Sequence, residues 1–150
     1  MDVIAKNKKA FYEYFINDTL EAGIALNGDE VKSLREGKVS INEAFAETDN
    51  GELWLINANI SSYKNSSKIL ISDEKRKRKL LVKKKDINTF QGKVEREGYT
   101  IVPIKIYFNK KGIAKVEIAV AKGKKLYDKR EDKKKKDWNK QKQRLLRNFK

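Results

Sequence analysis

The side chains able to do chemistry in this chain are carboxylates, hydroxyls and a large excess of amines and guanidiniums. No His and no Cys occurs among its 150 residues. That removes imidazole acid–base catalysis, His triads, Cys nucleophiles, disulfides, thiolate metal sites and most zinc or iron sites. Nucleophilic Lys, paired carboxylates and carboxylate-bound Mg²⁺ remain open. The acid pairs Asp29/Glu30 and Glu95/Glu97 lie on helical stretches, where such pairs usually only solubilise, so no catalytic role is expected of them. Asp73-Glu74 could hold Mg²⁺, but Lys75-Arg76-Lys77-Arg78-Lys79 follows at once and neutralises it. No GxxxxGK[ST] phosphate loop is present.

What remains is charge. Lys and Arg number 36 against 21 Asp and Glu, a net of +15. Residues 121–150 carry 14 of the bases and 4 of the acids, so two thirds of the excess sits in the last fifth of the chain. A solvated tail is the plain alternative, but a polyanion-binding arm fits better, because each Lys or Arg on a phosphate releases counterions. Nucleic acid is the commonest such polyanion, with an anionic membrane surface as the rival, and a general ribosomal or nucleoid-type protein that binds RNA and DNA by charge alone is the alternative function. The run 75–79 either grips phosphates or is a solvated loop. Lys122, Lys124 and Lys125 flank Gly123 and, with Lys115, could form a continuous basic face. Tyr63, Trp54, Tyr99 and Tyr107 could stack on bases, although aromatics in alternating strands are usually core. Over residues 131–148, Trp138, Leu145 and Leu146, continued by Phe149 just beyond, make a thin apolar stripe on a very basic helix candidate. Lys133 to Lys136 repel one another, so that helix should form only on a polyanionic partner.

These residues must be positioned by short elements. Residues 1–10 read as a loose basic arm. Phe11 to Leu26 reads as one or two strands, bent near Asn17-Asp18. Asp29 to Glu36 reads as a short helix stopped by Gly37. Ala44–Thr48 and Leu53–Asn57 read as a hairpin turned at Asp49-Asn50-Gly51. Asp86 to Glu97 reads as a helix capped by Asp86 and ended by Gly98. In Thr100–Phe108 the pattern places Val102, Ile104, Ile106 and Phe108 on one face. In Ile113–Ala121 it places Val116, Ile118 and Val120 on one face, with Lys115 and Glu117 opposite. Pro103 argues for an edge or a bulge. The expected fold is mainly β: an OB-like antiparallel β-barrel over residues 11–122, with two or three short helices, although an SH3-like barrel or an α+β sandwich would also fit the pattern. A basic tail over 123–150 follows it. No uncharged stretch reaches the length of a membrane span, and the N-terminus lacks an apolar signal core, so a cytoplasmic protein is expected.

Several blocks carry a resemblance. Residues 11–16 (Phe-Tyr-Glu-Tyr-Phe-Ile) and 21–35, from Glu21-Ala22-Gly23 to Ser33-Leu34-Arg35, come first. Arg78-Lys79-Leu80-Leu81 follows, then Gly92-Lys93-Val94 with Gly98-Tyr99-Thr100-Ile101-Val102-Pro103, then Ala121-Lys122-Gly123-Lys124-Lys125-Leu126-Tyr127-Asp128-Lys129-Arg130. In this order they resemble small protein B, the tmRNA-binding family of bacteria. The resemblance implies a protein that catalyses nothing and needs no cofactor or metal. It implies binding to the tRNA-like domain of tmRNA and action with elongation factor Tu. It implies delivery to a ribosome stalled on a truncated message, with no membrane or DNA partner. There the tail, disordered when free, folds as a helix in the empty mRNA channel, against small-subunit rRNA and the decoding centre. The nascent peptide is then tagged for degradation. By the same resemblance Asn7, Lys8, Lys9, Glu21 and Lys115 are RNA-binding candidates, and Arg35 with Lys122, Lys124 and Lys125 of the basic face join them. The ribosome-binding tail is assigned Tyr127, Asp128, Lys129, Arg130, Trp138, Leu145 and Leu146. Tyr127 stands where the family often has His, which keeps a stacking surface and loses the imidazole. Asp73-Glu74 replaces the family's common Asp-Pro.

Overall fold

The computed structural model describes residues 2–61 and 74–124. Its chain order begins with β1 (Asp2–Lys6), α1 (Lys8–Glu13), β2 (Tyr14–Ile24) and α2 (Gly28–Arg35). β3 (Val39–Ser40), β4 (Phe45–Asp49), β5 (Glu52–Ile56) and β6 (Asn59–Ile60) follow. β7 (Arg78–Leu81), α3 (Lys84–Glu97), β8 (Thr100–Phe108) and β9 (Ala114–Gly123) complete it. The main sheet runs β1-β8-β4-β5-β7-β2-β9, and β8 also pairs with β9. Six antiparallel strands therefore close into a ring, which leaves no open edge among them, and β1 adds to β8 from outside. β3 and β6 form a separate two-stranded sheet. The fold is mainly β with three helices, as the alternation pattern predicts.

Local chemistry explains most boundaries. β4 and β5 meet at Asn50 and Gly51, both at positive φ (53° and 76°), as a tight hairpin requires. α2 starts with a capping box: the Asn27 side chain accepts from the Glu30 N–H and the Glu30 carboxylate accepts from the Asn27 N–H. α3 ends on Gly98 in the left-handed conformation, φ 71°. Its start differs from expectation. Lys83 is the N-cap and makes no side-chain cap, while Asp86 lies inside the first turn. There the carboxylate can still offset the partial positive charge of the helix start.

Two stretches depart from the sequence reading. Residues 2–10, expected as part of a loose arm over 1–10, are ordered as β1 and the start of α1. Val3 pairs with Tyr107 and Lys6 with Lys105 along β8, and Ile4 and Ala5 pack on the core. Phe11 and Tyr12 are helical rather than extended, because Asn7 caps α1 and Ala10 is buried beneath it. β-favouring side chains yield here to tertiary packing.

The ring interior is filled by Leu53, Leu55, Leu80, Ile101, Ile106, Val116, Ile118 and Val120. A smaller second core lies on the ring's outer side, where Ala10 of α1 covers Val102, Ile104, Ala119 and Ala121. The expected single face of β8 is therefore split. A register shift between Pro103 and Lys105 lets Val102 and Ile104 face α1, while Ile106 and Phe108 pack on the main core. The proline sits at a bulge and not at an edge, since β8 has strands on both sides. A matching shift in β2 between Ile16 and Thr19 realises the bend expected at Asn17-Asp18.

Candidate nucleic-acid interface

The two bulges divide the outer face of β8, β9 and β2 into halves. One half is apolar and lies under α1. The other carries Lys105 and Tyr107 from β8, Lys115 and Glu117 from β9, and Glu21 and Gly23 from β2. Register places Tyr107, Lys115 and Gly23 in one row across the strands, and Lys105, Glu117 and Glu21 in the next. Directly opposed residues in such pairs are about 4.5–5.5 Å apart, so these side chains form one continuous surface. Leu81 of β7 extends the first row beyond Gly23 and is 55% exposed. A Cβ at position 23 would lie 3.1 Å from that of Leu81, so Gly23 keeps the row low between Lys115 and Leu81.

Within this surface Glu21 is held. The Tyr107 hydroxyl reaches over β9 and donates to Glu21 Oε2. Burial of Tyr107, and then its Glu21 partner, push the phenol's pKa above the usual tyrosine range, so it remains a donor. Lys105 Nζ lies 5.6 Å from the Tyr107 ring centroid and 3.5 Å from Glu117 Oε2. Lys115, diagonal to Glu21, has no ion-pair partner among the described residues. The arrangement offers an oriented carboxylate acceptor beside an amine free for phosphate. That combination suits a base edge next to its backbone.

The other candidates are distributed. Asn7 is buried: its Nδ2 donates to Pro103 O (2.9 Å) and its Oδ1 accepts from Ala10 N (3.1 Å). It therefore acts by tying α1 to β8, and its amide is not presented to a ligand. Lys8 is exposed at the start of α1, near Lys105. Lys9 is engaged by Glu43 (2.6 Å) and Glu13 (3.7 Å), and these carboxylates raise its pKa, the Glu43 hydrogen bond most. Arg35 is exposed on α2 and lines a cleft with Val3 and Phe108, beside β1. Lys122 and Lys124 leave the ring beside α1. The Lys124 N–H donates to Glu13 O (2.7 Å) and its Nζ sits 4.7 Å from the Phe15 ring centroid. Lys125, Tyr127, Asp128, Lys129, Arg130, Trp138, Leu145 and Leu146 lie outside the described residues. So do Tyr63, Asp73 and the helix candidate over 131–148.

The basic run 75–79 turns out to serve the fold. Arg78 is wholly buried, and its Nε donates to Glu30 Oε2 at 2.6 Å. Its Nη atoms donate to the carbonyls of Ala58 (2.8 Å), Arg76 (3.1 Å) and Glu74 (2.9 Å). Arg76 also donates to both Glu30 oxygens. Burial alone would raise the Glu30 pKa, but Arg76, the Asn27 N–H and Arg78 outweigh it and hold it low. On the other side of β7, Lys77 meets Asp49 and the Trp54 ring, and Lys79 meets Glu52. The run is largely matched by carboxylates of its own fold.

Of the stacking candidates, Tyr107 is buried against Glu21, Tyr99 packs against the core and bonds Asn17, and Trp54 is covered by Lys77. Among the described residues the large exposed aromatics are instead Phe11, Tyr12, Phe15 and Phe45. A strand-based sequence reading misses Phe11 and Tyr12 because they are on α1.

Comparison with known proteins completes the picture. The family model described as SmpB protein matches residues 4–148. The SsrA-binding protein of Nitrobacter hamburgensis is 56% identical over 145 residues, covering 97% of this chain and 92% of that one. That of Rhodopseudomonas palustris (strain BisA53) is 54% identical with the same coverage. A chain in the solved structure "tmRNA-SmpB: a journey to the center of the bacterial ribosome" matches with a TM-score of 0.68 at 48% identity. That match covers 84% of this chain and 87% of the other. With a family model spanning nearly the whole sequence and relatives above half identity, the chain belongs to the SmpB protein family.

Proposed function

We propose that this protein binds the tRNA-like domain of tmRNA through the outer face of β2, β9 and β8, and serves trans-translation. The observation that carries this is the grouping of Glu21, Tyr107 and Lys115 on one surface, in a chain more than half identical to proteins named SsrA-binding. The oriented carboxylate accepts from base amino groups, and Lys115 takes the adjoining phosphate. The protein acts by binding and not by catalysis, in the cytoplasm. The complex, together with elongation factor Tu, enters the A site of a ribosome stalled on a truncated message. The residues from Lys125 onward, with Tyr127 to Arg130, Trp138, Leu145 and Leu146, then occupy the empty mRNA channel and the decoding centre. Two variants test the division of labour. Glu21→Gln with Lys115→Ala should lower tmRNA affinity, and deletion of residues 131–150 should spare affinity but abolish peptide tagging. Unchanged tmRNA binding in the double variant removes this face from the interface. Parallel loss of binding and tagging in the deletion contradicts the separate roles.

A further inference from the structure

Next to the Lys105–Glu117 pair the surface dips into a cleft of about 320 Å³, which the reading above leaves without a task. Its volume falls at the small end of the roughly 300–1,000 Å³ typical of small-molecule sites. Phe11 and Ile104 supply apolar walls, and Lys6, Lys8 and Lys105 surround them. Glu117, opposite Glu21 in register, is the cleft's carboxylate acceptor. The walls are held in place. Asn7 N donates to Ile104 O (2.8 Å) and Asn7 Nδ2 to Pro103 O (2.9 Å), while Ala10 seals α1 onto the second core. Phe11 nonetheless remains 57% exposed, and neither Lys6 nor Lys8 has an ion-pair partner among the described residues. A large bare aromatic beside two unmatched cations has a specific complement: a ligand with a flat apolar face and an attached anion.

We propose that this cleft receives one unpaired nucleotide of the bound RNA. Its base lies against Phe11 and Ile104, its phosphate between Lys6 and Lys8, and its exocyclic amine donates to Glu117. The proposal rests on the tmRNA-binding reading and deepens it, since the cleft shares Lys105 and Glu117 with the Glu21–Lys115 surface. Base–aromatic stacking is sequence-tolerant, so the nucleotide adds affinity beyond phosphate contact alone.

Binding of the full chain to tmRNA at several salt concentrations, with excess ordinary tRNA present, tests this. Phe11→Leu should weaken binding about 10-fold with an unchanged salt slope, while Phe11→Trp stays within about 2-fold of the parent. Lys6→Ala should instead reduce the slope by about 1. Parent-like binding by Phe11→Leu, or equal losses for the Leu and Trp variants, overturns the proposal. Failure of the parent protein itself to hold tmRNA against tRNA defeats the functional reading instead. The cleft is then judged by titrating the ¹⁵N-labelled full chain with CMP and with ribose 5-phosphate. CMP should shift the amides of Lys6, Lys8, Phe11 and Lys105, and should lose that effect in Phe11→Leu. Identical shifts with ribose 5-phosphate, or none with CMP, overturn the proposal.

Discussion

Replacing Glu30 by Gln removes one negative charge from the most deeply buried ionic cluster among the described residues. Arg78 is 0% exposed and Glu30 3%, and the carboxylate accepts from Arg78 Nε, from Arg76 and from the Asn27 N–H. Gln keeps the shape but leaves the Arg78 guanidinium without its counter-charge. Breaking a buried pair in this way costs about 3–5 kcal/mol, against a total stability of about 5–15 kcal/mol. With a urea m-value of about 1–3 kcal/mol per M, the midpoint should fall by about 1 M or more at unchanged m. Far-UV circular dichroism during urea titration reads this directly. Arg76, with its side chain 34% exposed, provides the internal scale: Arg76→Ala should cost only about 1–2 kcal/mol. The pH dependence has a definite sign. Folding holds the Glu30 pKa below its unfolded value, so its contribution is complete above the unfolded carboxylate pKa of about 4.3. It fades as pH falls through the folded value. The gap between parent and Glu30→Gln should therefore be constant from about pH 5 to 7 and narrow in acid. A Glu30→Gln cost no larger than that of Arg76→Ala, or a gap that widens in acid, refutes the reasoning.

Tyr107→Phe should lower tmRNA affinity about 10-fold or more, since one hydrogen bond to a charged acceptor is worth about 1.5–3 kcal/mol. The loss should come with little change in salt slope, because Glu21 is no longer oriented but no phosphate contact is lost; a filter-binding salt series decides it. Asn7→Ala removes the α1 cap and leaves Pro103 O without its donor, so a loss of about 2–3 kcal/mol is expected in urea titration. Gly23→Ala should weaken tmRNA binding while changing stability little if Leu81 can yield, and a crystal structure of that variant should show Leu81 displaced outward.

Much of the ring was legible because its elements carry strong local signals. The Asn50-Gly51 hairpin, the Gly98 helix end, the alternation of Val116, Ile118 and Val120, and the bend near Asn17 each follow from one residue type or one period. The N-terminal elements were not legible. β1 is made by pairing with a strand about one hundred residues later, and α1 by the Asn7 cap and the burial of Ala10, none of which periodicity reports. The phase of β8 is not legible because a single bulge beside Pro103 exchanges its faces, turning Val102 and Ile104 out beneath α1 while Ile106 and Phe108 stay on the main core. The run 75–79 looked like a phosphate grip when counted as charge. Its Lys-Arg alternation held the missing signal: period 2 turns Arg76 and Arg78 inward to Glu30 and Lys77 and Lys79 outward. An arginine fork suits a buried carboxylate better than an ammonium does. Glu21 is named only through family resemblance, Lys115 also through its basic face, and the fold adds Lys105, Glu117 and Leu81 around them and turns Tyr107 from a stacking candidate into the donor that holds Glu21. The assignments to Tyr127–Arg130, Trp138, Leu145 and Leu146 fall outside the described residues.

Selective recognition of tmRNA by the ring is distinct from attraction of any polyanion to a chain of net charge +15. Binding of the full chain to tmRNA at physiological salt, in the presence of a large excess of ordinary tRNA, separates the two. Under selective recognition tmRNA stays bound while the competitor is ignored. Displacement by tRNA in proportion to its concentration would show that charge alone governs binding and that the ring does not select tmRNA.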